Sequence, residues 1–301
     1  MGINGSLQWL GMIKTSKCHY VGTRSKNCFF DIERVPSICS EAAMGEKFMG
    51  KMQGKVILIT GGSSGIGRET AKVFAKEGAK IVIASRGEGK GRDTVEEIQA
   101  IGGNAFFVKT DVSQEDQVNN LINRAVSEYG RLDFAFNNAG VEGRGARLAQ
   151  ETMDIWDNIM DINLKGVWLC MKYEILQMRK QGGGVIVNNS SSSGLGGAPR
   201  LTIYSASKHG VIGLTKGAAL EYIADNIRIN AICPGIIKTP MHDERLSTTP
   251  GLEDIMLSMV PMRRFGKPED VAAAVMWMCS DEASYLTGTT ILLGGGQGVS
   301  I

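Results

Sequence analysis

From residue 55 onward two hydrophobic patterns take turns along the chain. Short, unbroken apolar runs bounded by glycine alternate with longer stretches whose apolar residues recur at helical spacing. Residues 55–60 (KVILIT) form such a run, which reads as a strand buried on both faces. In the following GIGRETAKVFAKEG, residues Ile66, Ala71, Val73, Phe74 and Ala75 supply an apolar helical face, and Gly78 closes it. The alternation continues. Strands are predicted at 79–85, 105–112, 131–140 (running into a loop), 184–191 and 227–235, and helices at 94–103, 118–130 and 204–222. Repeated strand–helix alternation of this kind predicts an α/β fold, a parallel sheet with helices on both faces. No internal repeat or linker interrupts residues 52–301, so the pattern predicts one doubly wound domain over that span.

Residues 1–51 share none of this periodicity. They mix Lys14, Lys17, Arg24, Lys26 and Arg34 with scattered Ser and Thr, without the apolar stretch or cleavage site of a secretory signal. Their basic excess leaves organelle targeting open, against which Asp31 and Glu33 count. The start MGINGS fits an acylation pattern with Gly2 as acceptor, a short pattern that matches often by chance. The reading favoured is an appended leader, with Met44, Met49 and Met52 as alternative starts. A chain beginning at Met52 is expected to fold and work without it.

Charge narrows the function by exclusion. Lys plus Arg is 33 and Asp plus Glu 31, a net charge of +2, which leaves no basic footprint for nucleic acid or an acidic membrane. With 43% hydrophobic and 21% charged residues the chain is neither disordered nor fibrous. No apolar run reaches the roughly 18 residues of a membrane helix. The six cysteines form no C-x-x-C pair, which argues against a metal site. Cys170, Cys233 and Cys279 stand in apolar contexts and read as buried thiols of a reducing, cytoplasmic compartment. Glycine is the outlier, 39 of 301 residues, and points to backbone in close approach to a ligand.

The glycines concentrate where that matters. Thr60-Gly61-Gly62-Ser63-Ser64-Gly65-Ile66-Gly67 lies between the first strand and first helix, where a Gly-rich turn brings pyrophosphate onto a helix N-terminus. The spacing is T-G-x-x-x-G-x-G. With Asp111-Val112 after the third strand, Asn137-Asn138-Ala139-Gly140 after the fourth, and Pro234-Gly235 followed by Thr239, the chain resembles the classical short-chain dehydrogenase/reductase family over essentially all of residues 52–301. The resemblance implies a Rossmann-type fold and a dinucleotide cofactor. On that basis the cofactor is expected to touch Gly61, Ser63, Ser64, Gly65, Ile66, Gly67, Asp111, Val112, Asn138, Ala139 and Gly140. Pro234, Gly235, Ile237 and Thr239 are expected at its nicotinamide end. The second strand ends Ala84-Ser85-Arg86, without the acid that holds a ribose 2′-hydroxyl. Arg86 offers a planar fork to a 2′-phosphate with Ser85 beside it, so NADP(H) is preferred and NAD(H) remains possible. The alternative is a solvated loop arginine, since Lys90 and Arg92 lie nearby.

Tyr204 and Lys208 stand four residues apart, on one face of a helix. A phenol of pKa ~10 is a poor base near neutrality, and an adjacent ammonium is expected to lower it. The resemblance implies that Tyr204 moves the proton and that Lys208 also grips the ribose. It places the substrate-positioning serine 13 residues earlier, at Ser191 in the run 190–193, with a one-position error open. Asn163 matches the family's fourth catalytic residue, holding a water between Lys208 and solvent; the alternative is an exposed polar residue in mid-helix. The implied reaction is reversible hydride transfer between nicotinamide and a carbonyl or secondary alcohol. A catalytically silent, nucleotide-sensing scaffold is the second reading, and an NAD-preferring diol or sugar dehydrogenase the third. MDINLKGVWLCMKYEI resembles members acting on cyclic alcohols and diols, and residues 241–263, Met-rich in their later half, are expected to form a lid. Helices at about 152–181 and 203–223 match those that pair subunits in the family, so a homo-oligomer, tetramer or dimer, is expected. Trp168, Met171 and Ile175 suit either that interface or the core. The tail Leu293-Gly294-Gly295-Gly296 lacks the acid usual before the paired glycines, which counts against standard subunit packing.

Overall fold

The computed structural model describes residues 50–143, 145–247 and 251–298. The expectations for the leader, including Gly2 and Cys18, Cys28 and Cys39, lie outside the described residues. Seven parallel strands form one sheet: β1 (Val56–Thr60), β2 (Lys80–Ser85), β3 (Asn104–Lys109), β4 (Phe134–Asn137), β5 (Gly184–Asn189), β6 (Ile227–Pro234) and β7 (Thr290–Leu293). Their order is β3-β2-β1-β4-β5-β6-β7. The order reverses between β1 and β4, and such a switch point opens a crevice at the carboxyl ends of the strands.

Nine α-helices accompany the sheet among the described residues. They are α1 (Gly65–Lys76), α2 (Glu88–Ala100), α3 (Glu115–Tyr129), α4 (Met153–Met160), α5 (Gly166–Gln181), α6 (Thr202–Tyr222), α7 (Pro240–Ser247), α8 (Leu252–Ser258) and α9 (Pro268–Cys279). Alternation along β1 divides the core into two layers. Ile57 and Ile59 join Phe74 of α1, Ile98 of α2 and Val275 of α9 on one side. Val56 and Leu58 join Leu121 of α3, Met171 and Ile175 of α5 and Val211 of α6 on the other. Each large aliphatic side chain so enclosed contributes about 1.5–3 kcal/mol, which is why the sheet holds without cross-links. Cys170, Cys233 and Cys279 are buried free thiols. No helix among the described residues is long and apolar enough to cross a membrane.

Several boundaries and placements differ from the sequence reading. Helix α2 begins at Glu88 rather than 94. Its first turn has no apolar stripe and two glycines, yet a Glu88–Arg92 ion pair at 2.6 Å spans it. A Cβ at Gly91 would stand 2.2 Å from the Phe107 ring, so the glycine that masks the helix is the one that lets it pack on β3. Strand β3 stops at Lys109, three residues early, because the Asp111 amide leaves the ladder to bond the Gln117 side chain at 2.8 Å. The 152–181 segment is two helices joined by a π-turn over Asp161–Lys165. Along α5, Met171 and Ile175 are core residues while Trp168 is 47% exposed, so the three do not share one face.

Candidate active site

A cleft of about 380 Å³ opens at the switch point. Of the expected residues, Gly61, Ser63, Ser64, Gly65, Ile66, Ser85, Arg86, Asp111, Val112, Asn138, Ala139, Gly140, Tyr204, Lys208 and Thr239 line it. The Gly-rich turn is shaped by backbone that side chains resist: Gly61 has φ +65° and Gly65 φ +51°. Gly67 does not line the cleft. It lies behind the turn, where an added Cβ would come within 2.4 Å of the Gly61 carbonyl, so its role is close packing of α1. No side chain caps the first turn of α1, whose amides face the cleft end of the strands.

Asn138 fastens this turn to the next strand. Its Nδ2 donates to the carbonyls of Thr60 at 3.0 Å and Gly61 at 3.3 Å, while its own amide donates to Thr60 Oγ1. Asn189 Nδ2 in turn donates to Asn138 Oδ1 at 2.9 Å. Arg86 is exposed at the end of β2 on the cleft rim, and Ser85 Oγ beside it donates to the Gly87 carbonyl at 3.2 Å. Asp111 Oδ1 accepts both the amide and hydroxyl of Ser113, which fixes the wall opposite.

The proton-handling groups gather at the other end of the cleft. Tyr204 and Lys208 rise from α6, with Lys208 Nζ 5.7 Å from the centre of the Tyr204 ring. Lys208 is buried, and its ammonium donates to the Asn189 carbonyl at 2.7 Å. Burial pulls Lys208 down to about 8. Burial also pushes Tyr204 up to about 12, opposed by a hydrogen bond with Ser191. The phenol is thus raised where a lowered one was expected: the ammonium is turned to Asn189, and desolvation is the largest influence on Tyr204. The serines differ in their partners, and of the two considered Ser190 rather than Ser191 lines the cleft. Ser190 Oγ donates to the Lys208 carbonyl at 2.9 Å, whereas Ser191 Oγ faces Tyr204 and accepts the Ser193 amide.

Asn163 is wholly buried, not an exposed mid-helix residue. Its Oδ1 accepts the Val141 amide at 2.8 Å, and its Nδ2 donates to the Val141 carbonyl and to Ser207 Oγ. The π-turn presents it there, the register shift that such turns commonly supply at functional sites. Pro234, Gly235 and Ile237 are absent from the cleft wall. Ile237 lines a neighbouring cavity with Ile236, Val260 and Leu293, and a Cβ on Gly235 would meet the Gln297 side chain at 2.3 Å. The lid segment divides too: Met241 lines the cleft, Met256 and Val260 are buried on the domain, and Met259 and Met262 are exposed. The sequence reading missed Asn189, whose carbonyl anchors Lys208; only its place before the serine run marks it.

A switch-point crevice with an uncapped helix terminus, a Gly-rich turn and a Tyr–Lys pair defines a dinucleotide-binding oxidoreductase of the doubly wound class. A family model described as enoyl-(acyl carrier protein) reductase matches residues 61–297. The 2,5-dichloro-2,5-cyclohexadiene-1,4-diol dehydrogenase of Sphingobium indicum is 39% identical over 249 residues, 82% of this chain and 98% of that protein. Cyclohexanol dehydrogenase from an Acinetobacter strain is 40% identical over 251 residues, covering 83% and 98%. The crystal structure of levodione reductase superposes with a TM-score of 0.79 at 36% identity, covering 81% of this chain and 98% of that one. The chain belongs to the short-chain dehydrogenase/reductase family, whose members are NAD(P)-dependent oxidoreductases.

Proposed function

We propose that this protein is an NADP(H)-dependent oxidoreductase that interconverts a secondary alcohol and its ketone, with a cyclic, largely apolar substrate. The observation that carries the cofactor choice is Arg86: an exposed guanidinium on the cleft rim, at the position after β2 where a carboxylate would mark a free 2′-hydroxyl. The residues fit a dinucleotide, since the positive-φ glycines and the uncapped α1 amides offer a phosphate cradle. When bound, the dinucleotide supplies or accepts the hydride.

The rest is the chain's own chemistry. Tyr204, held as a neutral phenol by burial, gives its proton to the carbonyl oxygen in reduction and takes one back in oxidation. Ser191, already hydrogen-bonded to Tyr204, donates to the same oxygen as negative charge develops there. Lys208 stabilises the phenolate that Tyr204 becomes and reaches the ribose, while Asn163 holds a water between Lys208 and solvent. The named substrates of two relatives, a cyclohexadiene diol and cyclohexanol, support a cyclic alcohol. Met241 at the cleft supplies an adaptable apolar wall for one.

Three buried free thiols suit a cytoplasmic setting. Trp156, Trp168 and Leu176, exposed on α4 and α5, suit burial against a second copy. The reading is tested by assaying the purified protein on cyclic alcohols and ketones with both nicotinamide cofactors. Turnover with NADP(H) at least about tenfold more efficient than with NAD(H) is expected. Equal or reversed preference overturns the cofactor assignment, and no turnover of any alcohol or ketone overturns the reaction.

A further inference from the structure

Beneath the site lies a buried polar cluster that the proposed reaction does not use. Glu174, midway along α5, is wholly buried. Asn137 Nδ2 at the end of β4 donates to Glu174 Oε2 at 2.9 Å and to Asn188 Oδ1 of β5 at 3.0 Å. Asn188 Nδ2 donates onward to Thr215 Oγ1 of α6 at 2.9 Å. Four elements are thereby tied together below the sheet.

Among the described residues, two atoms in this cluster have no hydrogen-bond partner: Glu174 Oε1 and Asn137 Oδ1. They belong to two groups already joined by one hydrogen bond, and both are acceptors if the acid is ionised. A carboxylate here would be a full charge out of water, with one oxygen unpaired beside another acceptor. A proton on Oε1 would turn that atom into a donor, for which Asn137 Oδ1, on the side chain already bonded to the acid, is an unfilled acceptor. We infer that Glu174 stands in the folded protein as a neutral carboxylic acid, doubly hydrogen-bonded to the Asn137 amide, and that this acid–amide ring is a positioning device for the site above it.

Strand geometry carries the second half of that statement. Asn137 and Asn188 are paired across β4 and β5. The residues that follow them, Asn138 and Asn189, turn to the opposite face and pair there through their own side chains. Asn138 holds the carbonyls of Thr60 and Gly61, and the Asn189 carbonyl holds Lys208. Each side chain of the lower pair therefore sets the strand position of a residue that holds the cofactor turn or the lysine.

The electrostatics agree. Burial pushes Glu174 up to about 8, and only the Asn137 bond opposes it. Of the groups facing it, Cys170 on the same helix is a thiol itself pushed up by burial and by Glu174. Asn137 of β4 bonds it directly, Asn188 of β5 and Thr215 of α6 continue the same hydrogen-bonded chain, and all three are neutral. The side chains that α3 and β6 give to this layer, Leu121, Ile122, Ala125, Ile227 and Ile229, are apolar.

The test uses the full chain and is independent of activity. Infrared difference spectra of wild type against Glu174→Gln are expected to show a protonated-carboxyl carbonyl band near neutral pH that disappears as pH rises through about 8. The folded-state value lies above the usual 4.5, so stability contributed by the acid is complete below about 4.5 and lost as pH rises through about 8. The wild-type melting temperature should accordingly fall relative to Glu174→Gln across that window, other titrating groups cancelling in the comparison. Glu174→Ala, which opens the ring, should weaken NADPH binding several-fold, and Glu174→Gln, which can rebuild both bonds, should restore it. A wild type without the band, or a Glu174→Gln variant whose melting temperature keeps the same pH slope, overturns the proposal. Should Glu174→Gln fail to fold, the infrared titration of wild type alone decides.

Discussion

The ammonium of Lys208 donates to the main-chain carbonyl of Asn189 at 2.7 Å, so the one cation of the catalytic group is held by the end of a strand. Its position is fixed at a cost in stability, because the side chain is only 3% exposed and, among the described residues, burial is what moves its charge balance most.

Lys208→Met should therefore stabilise the fold at pH 7 while abolishing most activity. Burial lowers Lys208 from 10.5 to about 8. That shift corresponds to about 3 kcal/mol of charge penalty, and losing the bond to Asn189 returns about 1 kcal/mol or more. A net gain of about 1–2 kcal/mol in denaturant unfolding is expected at pH 7. Between about 8 and 10.5 the unfolded chain holds the extra proton, so wild-type stability rises with pH there and the variant's advantage vanishes. A variant less stable than wild type at pH 7 would show that the bond outweighs desolvation.

Tyr204→Phe separates chemistry from binding. The phenol oxygen is the proposed proton carrier, and proton transfer by a placed side chain is worth about 10²–10⁴ in rate. Turnover should fall by that factor while NADPH binding, followed by fluorescence, changes less than about twofold, because the turn, Arg86 and Lys208 are untouched. Near-normal turnover would remove Tyr204 from the mechanism.

The contrast between Tyr204 and Asn163 shows what sequence could carry. Strand–helix alternation, the Gly-rich turn and the Tyr–Lys spacing are legible because each is written in local pattern: apolar runs, glycines at fixed offsets, four residues of helix. Asn163 was legible only as a motif match, since its burial depends on a π-turn that periodicity does not encode. The raised phenol of Tyr204 was invisible for a related reason, as the direction in which Lys208 points is set by Asn189, a residue of another strand. Pro234, Gly235 and Ile237, which do not line the cleft, differ in another way. Their motif is local, but the cleft wall is built from loops whose path the motif does not fix.

Gly67→Ala should damage the site without touching it. The new Cβ would stand 2.4 Å from the Gly61 carbonyl and 2.6 Å from Asn138 Nδ2, both fixed by the Asn138 hydrogen bonds. Relief requires α1 to move off the turn, at about 1–3 kcal/mol as in other overpacked sites. The melting temperature should drop and NADPH affinity should fall with it. Gly89→Ala, at an exposed position off the cleft with open space around the missing side chain, is the control and should lower neither.

Arg86→Asp tests the cofactor assignment where it is most exposed. Arg86 stands on the cleft rim with Ser85 hydrogen-bonded into the same turn, so a 2′-phosphate placed there would meet a charge-assisted donor fork. The substitution removes that fork and sets a carboxylate against the phosphate. The Michaelis constant for NADPH should rise more than tenfold, more than about 1.4 kcal/mol. Turnover at saturation should fall much less, since the contact is equally present in ground and transition states. The constant for NADH should stay level or improve, because the new acid can accept from a free 2′-hydroxyl. An unchanged NADPH constant would make Arg86 a solvated loop residue and return the choice between the two cofactors to other parts of the cleft.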